Sequence, residues 1–198
     1  MILSKKAIFA LLIATLSIIT IFAIQIISSY ISESSSSKSQ LERGGISIQF
    51  TKEEMRRVSF GVVERFAAEK VESISIQADG RALYIMQQGI NSIQKEFSIT
   101  REMLKTIESF IIDTGLFDMT PNLRDEVESS DTFTRYTVII ILDGKSKSIR
   151  WAEDIRTDEF APSDVPPLLI RLRCMLMHIM SEPAGYEFDM SRCLQGLS

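Results

Sequence analysis

The chain reads as an α+β protein: an N-terminal transmembrane helix followed by a mostly antiparallel β-sheet with two helices packed on one face. Three observations carry that expectation. Ala7–Ile27 runs without a single charged residue. Two Asp-Gly dipeptides, Asp79-Gly80 and Asp143-Gly144, each lie between alternating apolar residues. Apolar residues recur at helical spacing after Thr100 and again after Pro166.

Residues 1–6 form a short cytoplasmic N-terminus with Lys5 and Lys6 next to the apolar run. As a helix, residues 7–27 span about 30 Å, enough for the hydrocarbon core of a bilayer. The two lysines keep the N-terminus in the cytoplasm and send the rest of the chain outward. A cleaved signal peptide is the rival, but its apolar core is shorter and ends at a small-x-small site. Ile26-Ile27-Ser28-Ser29-Tyr30 offers none. Either reading places the remaining chain outside the cytoplasm. Residues 28–45 are a spacer rich in serine, a composition that buries no core.

The extracytoplasmic domain is expected over residues 46–180. Its first segment, Thr51–Glu72, is ambiguous. Thr51 with Glu54 forms a capping box, and Met55, Val58, Val62 and Phe66 fit a helical stripe. A strand over Val58–Phe66 is preferred because the hairpin that follows needs a neighbour to pair with. That hairpin turns at Asp79-Gly80, and a second turns at Asp143-Gly144. Asp-Gly suits a two-residue turn in which both positions take positive φ. In the second hairpin Tyr136, Val138, Ile140 and Leu142 share a face with Ile149 and Trp151. Between the hairpins, Thr100 is a natural N-cap and Gly115 a natural stop for a helix carrying Met103, Leu104, Ile107, Phe110 and Ile111. A second helix is expected from about Ser163, with Pro166 in its first turn and Leu168, Leu169, Leu172, Leu176 and Ile179 along one stripe. Residues 181–198 read as a C-terminal tail.

Lys and Arg total 22 against 26 Asp and Glu, a net charge of −4. That balance points away from nucleic acid, whose partners carry a basic footprint. One histidine, His178, removes most histidine-based catalytic sites, and the isolated glycines form no phosphate-binding loop. No cofactor is expected, and the chain reads as a non-enzyme. A carboxylate-dependent enzyme is the catalytic alternative, since acidic residues are plentiful.

Cys174 and His178 stand four apart on the second helix and could share a soft metal ion. The plain account is that Cys174 and its methionine neighbours pack the core. Cys174 and Cys193 could instead form a disulfide tying the tail to the helix. The other account leaves Cys174 buried and Cys193 unbridged. Arg135 and Arg150 are placed by strand alternation to face away from the core, where they could form a binding surface.

The stretches ADGRALY, TGLFDM, DTFTRYTVIIILDGKSKSIRW and FAPSDVPPLLIRL carry a resemblance. In their order they resemble widespread, uncharacterised membrane-anchored envelope domains of bacteria and archaea. The layout is also similar to the emfourin family of small metalloprotease inhibitors. The resemblance covers roughly residues 58–180 and rests on turn glycines, a helix stop and core aromatics. It implies a small α+β envelope domain with an envelope or secreted protein as partner, and protease inhibition as one form of that role. No inhibitory contact residue carries over. The expected function is therefore non-catalytic protein binding by a single-pass membrane protein, with the lipid bilayer contacted through residues 7–27.

Overall fold

Six strands form one sheet in the computed structural model, which describes residues 45–120, 123–127, 130–154 and 165–195. They are β1 (Ile46–Phe60), β2 (Val63–Ile76), β3 (Arg81–Gln88), β4 (Asn91–Ser98), β5 (Thr132–Leu142) and β6 (Lys145–Asp154). The helices are α1 (Arg101–Asp113), α2 (Pro167–Ala184) and the short α3 (Met190–Leu194). The strand order is β4-β3-β2-β1-β5-β6, with every neighbouring pair antiparallel. The α+β expectation for the domain therefore holds. Residues 1–44, with the apolar run 7–27 and nearly all of the spacer, lie outside the described residues. Among those described, no helix is long and apolar enough to cross a membrane.

Register explains which face is buried. Ile48 on β1 stands between Ile76 and Ile140, and Phe50 stands between Ile74 and Val138. All six are buried, together with Ile149 and Trp151 on β6. Both longer helices close over this face. Leu104, Ile107 and Ile111 of α1 and Leu169, Leu172, Leu176 and Ile179 of α2 join the same core. Each fully buried Ile or Leu side chain there is worth about 1.5–3 kcal/mol of transfer free energy.

The segment Thr51–Glu72 is neither a helix nor a single strand over Val58–Phe66. It is the greater part of a long hairpin that reverses at Gly61-Val62, where Gly61 takes a φ of 67°. The capping box does not form a helix because β1 is claimed on both sides, by β2 and by β5. An unforeseen strand, β4, follows β3 after a turn at Gly89-Ile90.

Asp143-Gly144 turns as expected, with φ of 48° and 76°. The Asp79-Gly80 turn differs, since Gly80 alone has positive φ, at 87°. The Gly80 N–H donates to the Gln77 carbonyl at 2.9 Å, and the Gln77 N–H donates to the Arg81 carbonyl at 2.8 Å. This is the three-residue hairpin arrangement, in which a turn is followed by a left-handed glycine. A Cβ on Gly80 would also lie 2.9 Å from the Ile99 carbonyl oxygen. Gly80→Ala is therefore expected to lower stability by about 1–3 kcal/mol through combined strain and contact. A urea-unfolding midpoint matching the wild type would contradict this.

The helix ends follow the sequence. Thr100 Oγ1 accepts the Met103 N–H at 3.2 Å, and Gly115 takes a φ of 64° just past α1. Leu116 is fully buried there and Phe117 packs against the core. Pro166 immediately precedes α2, which begins at Pro167 and not at Ser163. The helix continues past residue 180 to Ala184, where the left-handed Gly185 closes it. The chain beyond is no plain tail. Phe188, Met190 and Cys193 return to the core around α3.

Candidate functional site

The C-terminal return is fastened covalently. Cys174, fully buried on α2, is bonded to Cys193 on α3 with an S–S distance of 2.01 Å. This corrects the soft-metal reading, because a sulfur held in a disulfide offers no thiolate to an ion. His178 is exposed, with its ring 6.4 Å from that of Phe188. Among the described residues, no group of three or more His, Cys, Asp or Glu side chains comes together as a metal site.

Arg135 and Arg150 both lie on the sheet face away from α1 and α2, with Arg135 opposite Ala152 and Arg150 opposite Thr137. They differ in what they do. Arg135 Nε donates to the Asp125 carbonyl at 3.1 Å, and its guanidinium pairs with Glu53 at 3.8 Å and Glu126 at 3.6 Å. It also lies over the Phe133 ring, 5.7 Å from the centroid. Arg135 thus fastens the segment 123–127 to the sheet end, where Val127 packs on a second small core of Met55, Phe133 and Ala152. Arg150 remains exposed.

Past Phe50 the core face of the sheet turns ionic. Lys52 and Lys70 reach Glu72 at 3.3 and 2.9 Å, and the Tyr84 hydroxyl donates to Glu72 at 2.9 Å. Lys52 also pairs with Glu54 at 3.1 Å, so the quartet is neutral. Burial works against ionisation of Glu72, but the two ammonium groups and the Tyr84 hydroxyl outweigh it and hold the carboxyl below its ordinary value of 4.5. Tyr84 itself is pushed up, by burial and then by Glu72. Tyr186, in the C-terminal return, is pushed up to about 12 by burial and by the Glu72 charge. Such a neutral, mutually satisfied set holds strand to strand.

A pH prediction follows from the lowered Glu72 value. The stabilisation by ionised Glu72 is complete above about pH 4.5 and is lost as pH falls through the lower folded value. Glu72→Gln is expected to cost about 1–3 kcal/mol at neutral pH. Its stability should also fall less steeply than wild type on acidification. Urea midpoints measured from pH 7 to 3 check this, and parallel curves would contradict it.

The second unusual feature is at the opposite end of β1 from its start. Pairing of β1 with β5 ends at Arg56, and pairing of β2 with β3 ends at Lys70. The rungs from Arg57↔Phe66 to Phe60↔Val63 therefore form a two-stranded finger beyond the sheet. A bulge between Glu54 and Met55 marks its base. There Phe66 packs edge-on against Phe133 at 4.8 Å, with Arg57 lying 5.3 Å over the Phe66 ring. The Arg57–Glu64 pair at 3.2 Å bridges the two strands further out. At the tip Val62 is 101% exposed and Val63 45%. The adjoining β3–β4 hairpin turns at the same end of the sheet and carries Ile90, also 101% exposed, and Ile93 at 43%.

No protein-family model matches the chain, and no curated protein matches it. The candidate site therefore rests on geometry. Sequence reasoning missed the finger because Gly61-Val62 is a weak turn signal inside a run that also fits a helix. The signal that could have found it is Gly61 between Val58-Ser59-Phe60 and Val62-Val63, with Arg57 and Glu64 just outside them carrying opposite charges that a hairpin can pair.

Proposed function

We propose that this is a membrane-anchored, extracytoplasmic, non-catalytic binding module that engages an envelope or secreted protein through its two apolar hairpin tips. The observation that carries the reading is the full exposure of Val62 and Ile90 on turns at one end of the sheet. Turns ordinarily carry Gly, Asn, Asp, Ser or Pro, because these satisfy the backbone and face water at little cost. Branched aliphatic residues at two adjacent tips gain free energy only when a partner covers them. A protein fits these tips better than a flat surface does, because the finger projects past the β3–β4 tip and the two together form a step. The chain enters β1 at the end of the sheet opposite both tips.

Two further observations support an extracytoplasmic setting. The disulfide Cys174–Cys193 belongs to an oxidising compartment. The uncharged run Ala7–Ile27 behind Lys5 and Lys6 suits a signal anchor. The test is affinity capture with the full-length chain, solubilised from membranes in mild detergent. A partner held by wild type should be lost in the Val62→Asp/Ile90→Asp double variant, whose thermal midpoint stays unchanged. A partner retained equally by both proteins, or no partner at all, would refute the reading.

A further inference from the structure

On the sheet face turned away from α1 and α2, aliphatic side chains gather in two ridges. Leu83 and Ile85 form an aliphatic ridge on β3, and Ile139 and Ile141 form another on β5. The rungs between these ridges, on β2 and β1, hold only serine, threonine and glutamine on this face. The four aliphatic side chains are partly shielded by their neighbours and belong to neither apolar core. Among the described residues no helix packs on this face, and the segment 123–127 covers only its end near Phe133.

We propose that this face is a homodimer interface, in which a second copy of the chain stacks face to face about a two-fold axis running along the strands between β2 and β1. The strand order makes the pattern self-complementary. In β4-β3-β2-β1-β5-β6 the two ridges are equally far from the midline. The two-fold therefore sets Leu83 of one copy over Ile139 of the other, both on the Ser75–Gln49 rung, with Ile85 and Ile141 one rung to either side, and joins the polar centres. It also lays β4 over β6. Glu96 faces this side on β4, and Arg150 does so on β6 one rung away, both exposed. Each copy thus brings its acidic margin to the other's basic margin, and both pairs form at once. Six strands about 4.8 Å apart, over about eight residues at 3.3 Å each, offer roughly 700 Å² per copy. The pair would bury about 1,400 Å², within the range of stable dimers. Two stacked sheets with aligned strands are a common solution for such faces.

The test is sedimentation equilibrium of the full-length chain in density-matched detergent. Wild type should be a dimer at micromolar concentration, and Thr51→Lys, which puts a charge at the centre of the face, should be a monomer. Glu96→Arg and Arg150→Glu should each weaken association at least several-fold, and the two together should restore it. A monomeric wild type, a dimer that survives Thr51→Lys, or no restoration by the charge swap would overturn the proposal. A monomer in which Ile85 and Ile139 resist hydroxyl-radical labelling would assign the face to the chain's own residues 1–44. The dimer does not rest on the finger's partner, so Val62→Asp should leave it intact.

Discussion

Arg173→Met should destabilise the protein by about 3–5 kcal/mol, the usual consequence of removing one partner from a buried ion pair. Arg173 on α2 pairs with Glu153 on β6, with side-chain exposures of only 9% and 12%. The guanidinium also lies 5.5 Å over the Tyr136 ring. Glu153 accepts a second hydrogen bond, from Trp151 Nε1 at 2.8 Å, and that indole stacks on Tyr136 at 5.4 Å. Without Arg173 the carboxylate is left in an apolar layer with one donor. Burial already pushes the Glu153 carboxyl up from its ordinary value, against the opposing pull of Arg173 and Trp151. In Arg173→Met that pull is weakened, and the neutral acid is favoured further. A carboxyl raised in the folded state favours folding at low pH, and this contribution is lost as pH rises through the folded value. The deficit relative to wild type should therefore be small near pH 4.5 and complete at neutral pH. Adding Glu153→Gln should recover most of it. Chemical-denaturation midpoints of the single and double variants decide the matter. A single variant within 1 kcal/mol of wild type would mean that water reaches Glu153.

Breaking the Cys174–Cys193 bridge should cost about 3 kcal/mol, the value for closing a loop of this size. The two cysteines are separated by 19 positions. For a domain of this length the thermal midpoint should fall by about 6–12 °C. The loss should be local at first, because the bridge joins α3 to α2 and leaves the sheet ladders intact. In Cys193→Ser, hydrogen exchange should speed up across residues 186–194, where Phe188 and Met190 pack, while β1 and β5 stay protected. Uniform loss of protection throughout the chain would show that the C-terminal return is part of the central cooperative unit.

Several elements are legible in the chain because local chemistry decides them. Asp143 and Gly144 tolerate positive φ at adjacent positions, and the residues around them alternate cleanly. Thr100 caps α1 because its hydroxyl has a free backbone donor to accept from three residues on. The orientation of Arg135 and Arg150 follows from strand alternation alone. What Arg135 contacts does not follow from alternation, since its partners come from a loop and another strand.

Other features were hidden because distant partners decide them. Lys52, Glu54, Lys70 and Glu72 break the apolar alternation of β1 and β2, and from the sequence they look like solvated helix residues. They are core-face strand residues because the register sets Lys52 against Glu72 across β1 and β2, while Glu54 and Lys70 pair with these two along their own strands. In β4, Ile93, Lys95 and Phe97 share a face, but Lys95 interrupts the apolar pattern. Its ammonium is satisfied by the Pro183 carbonyl at 2.6 Å, a contact 88 positions away.

The sequence by itself determined the α+β class, both Asp-Gly reversals, the two main helices and the uncharged stretch at the N-terminus. Each depends on interactions within a few residues. Tertiary structure alone decided which cysteine alternative holds, where the charged strand residues point, that a finger projects beyond the sheet, and that the two aliphatic ridges flank the sheet's midline. Those outcomes turn on strand order and register, which bring together residues that no local pattern connects.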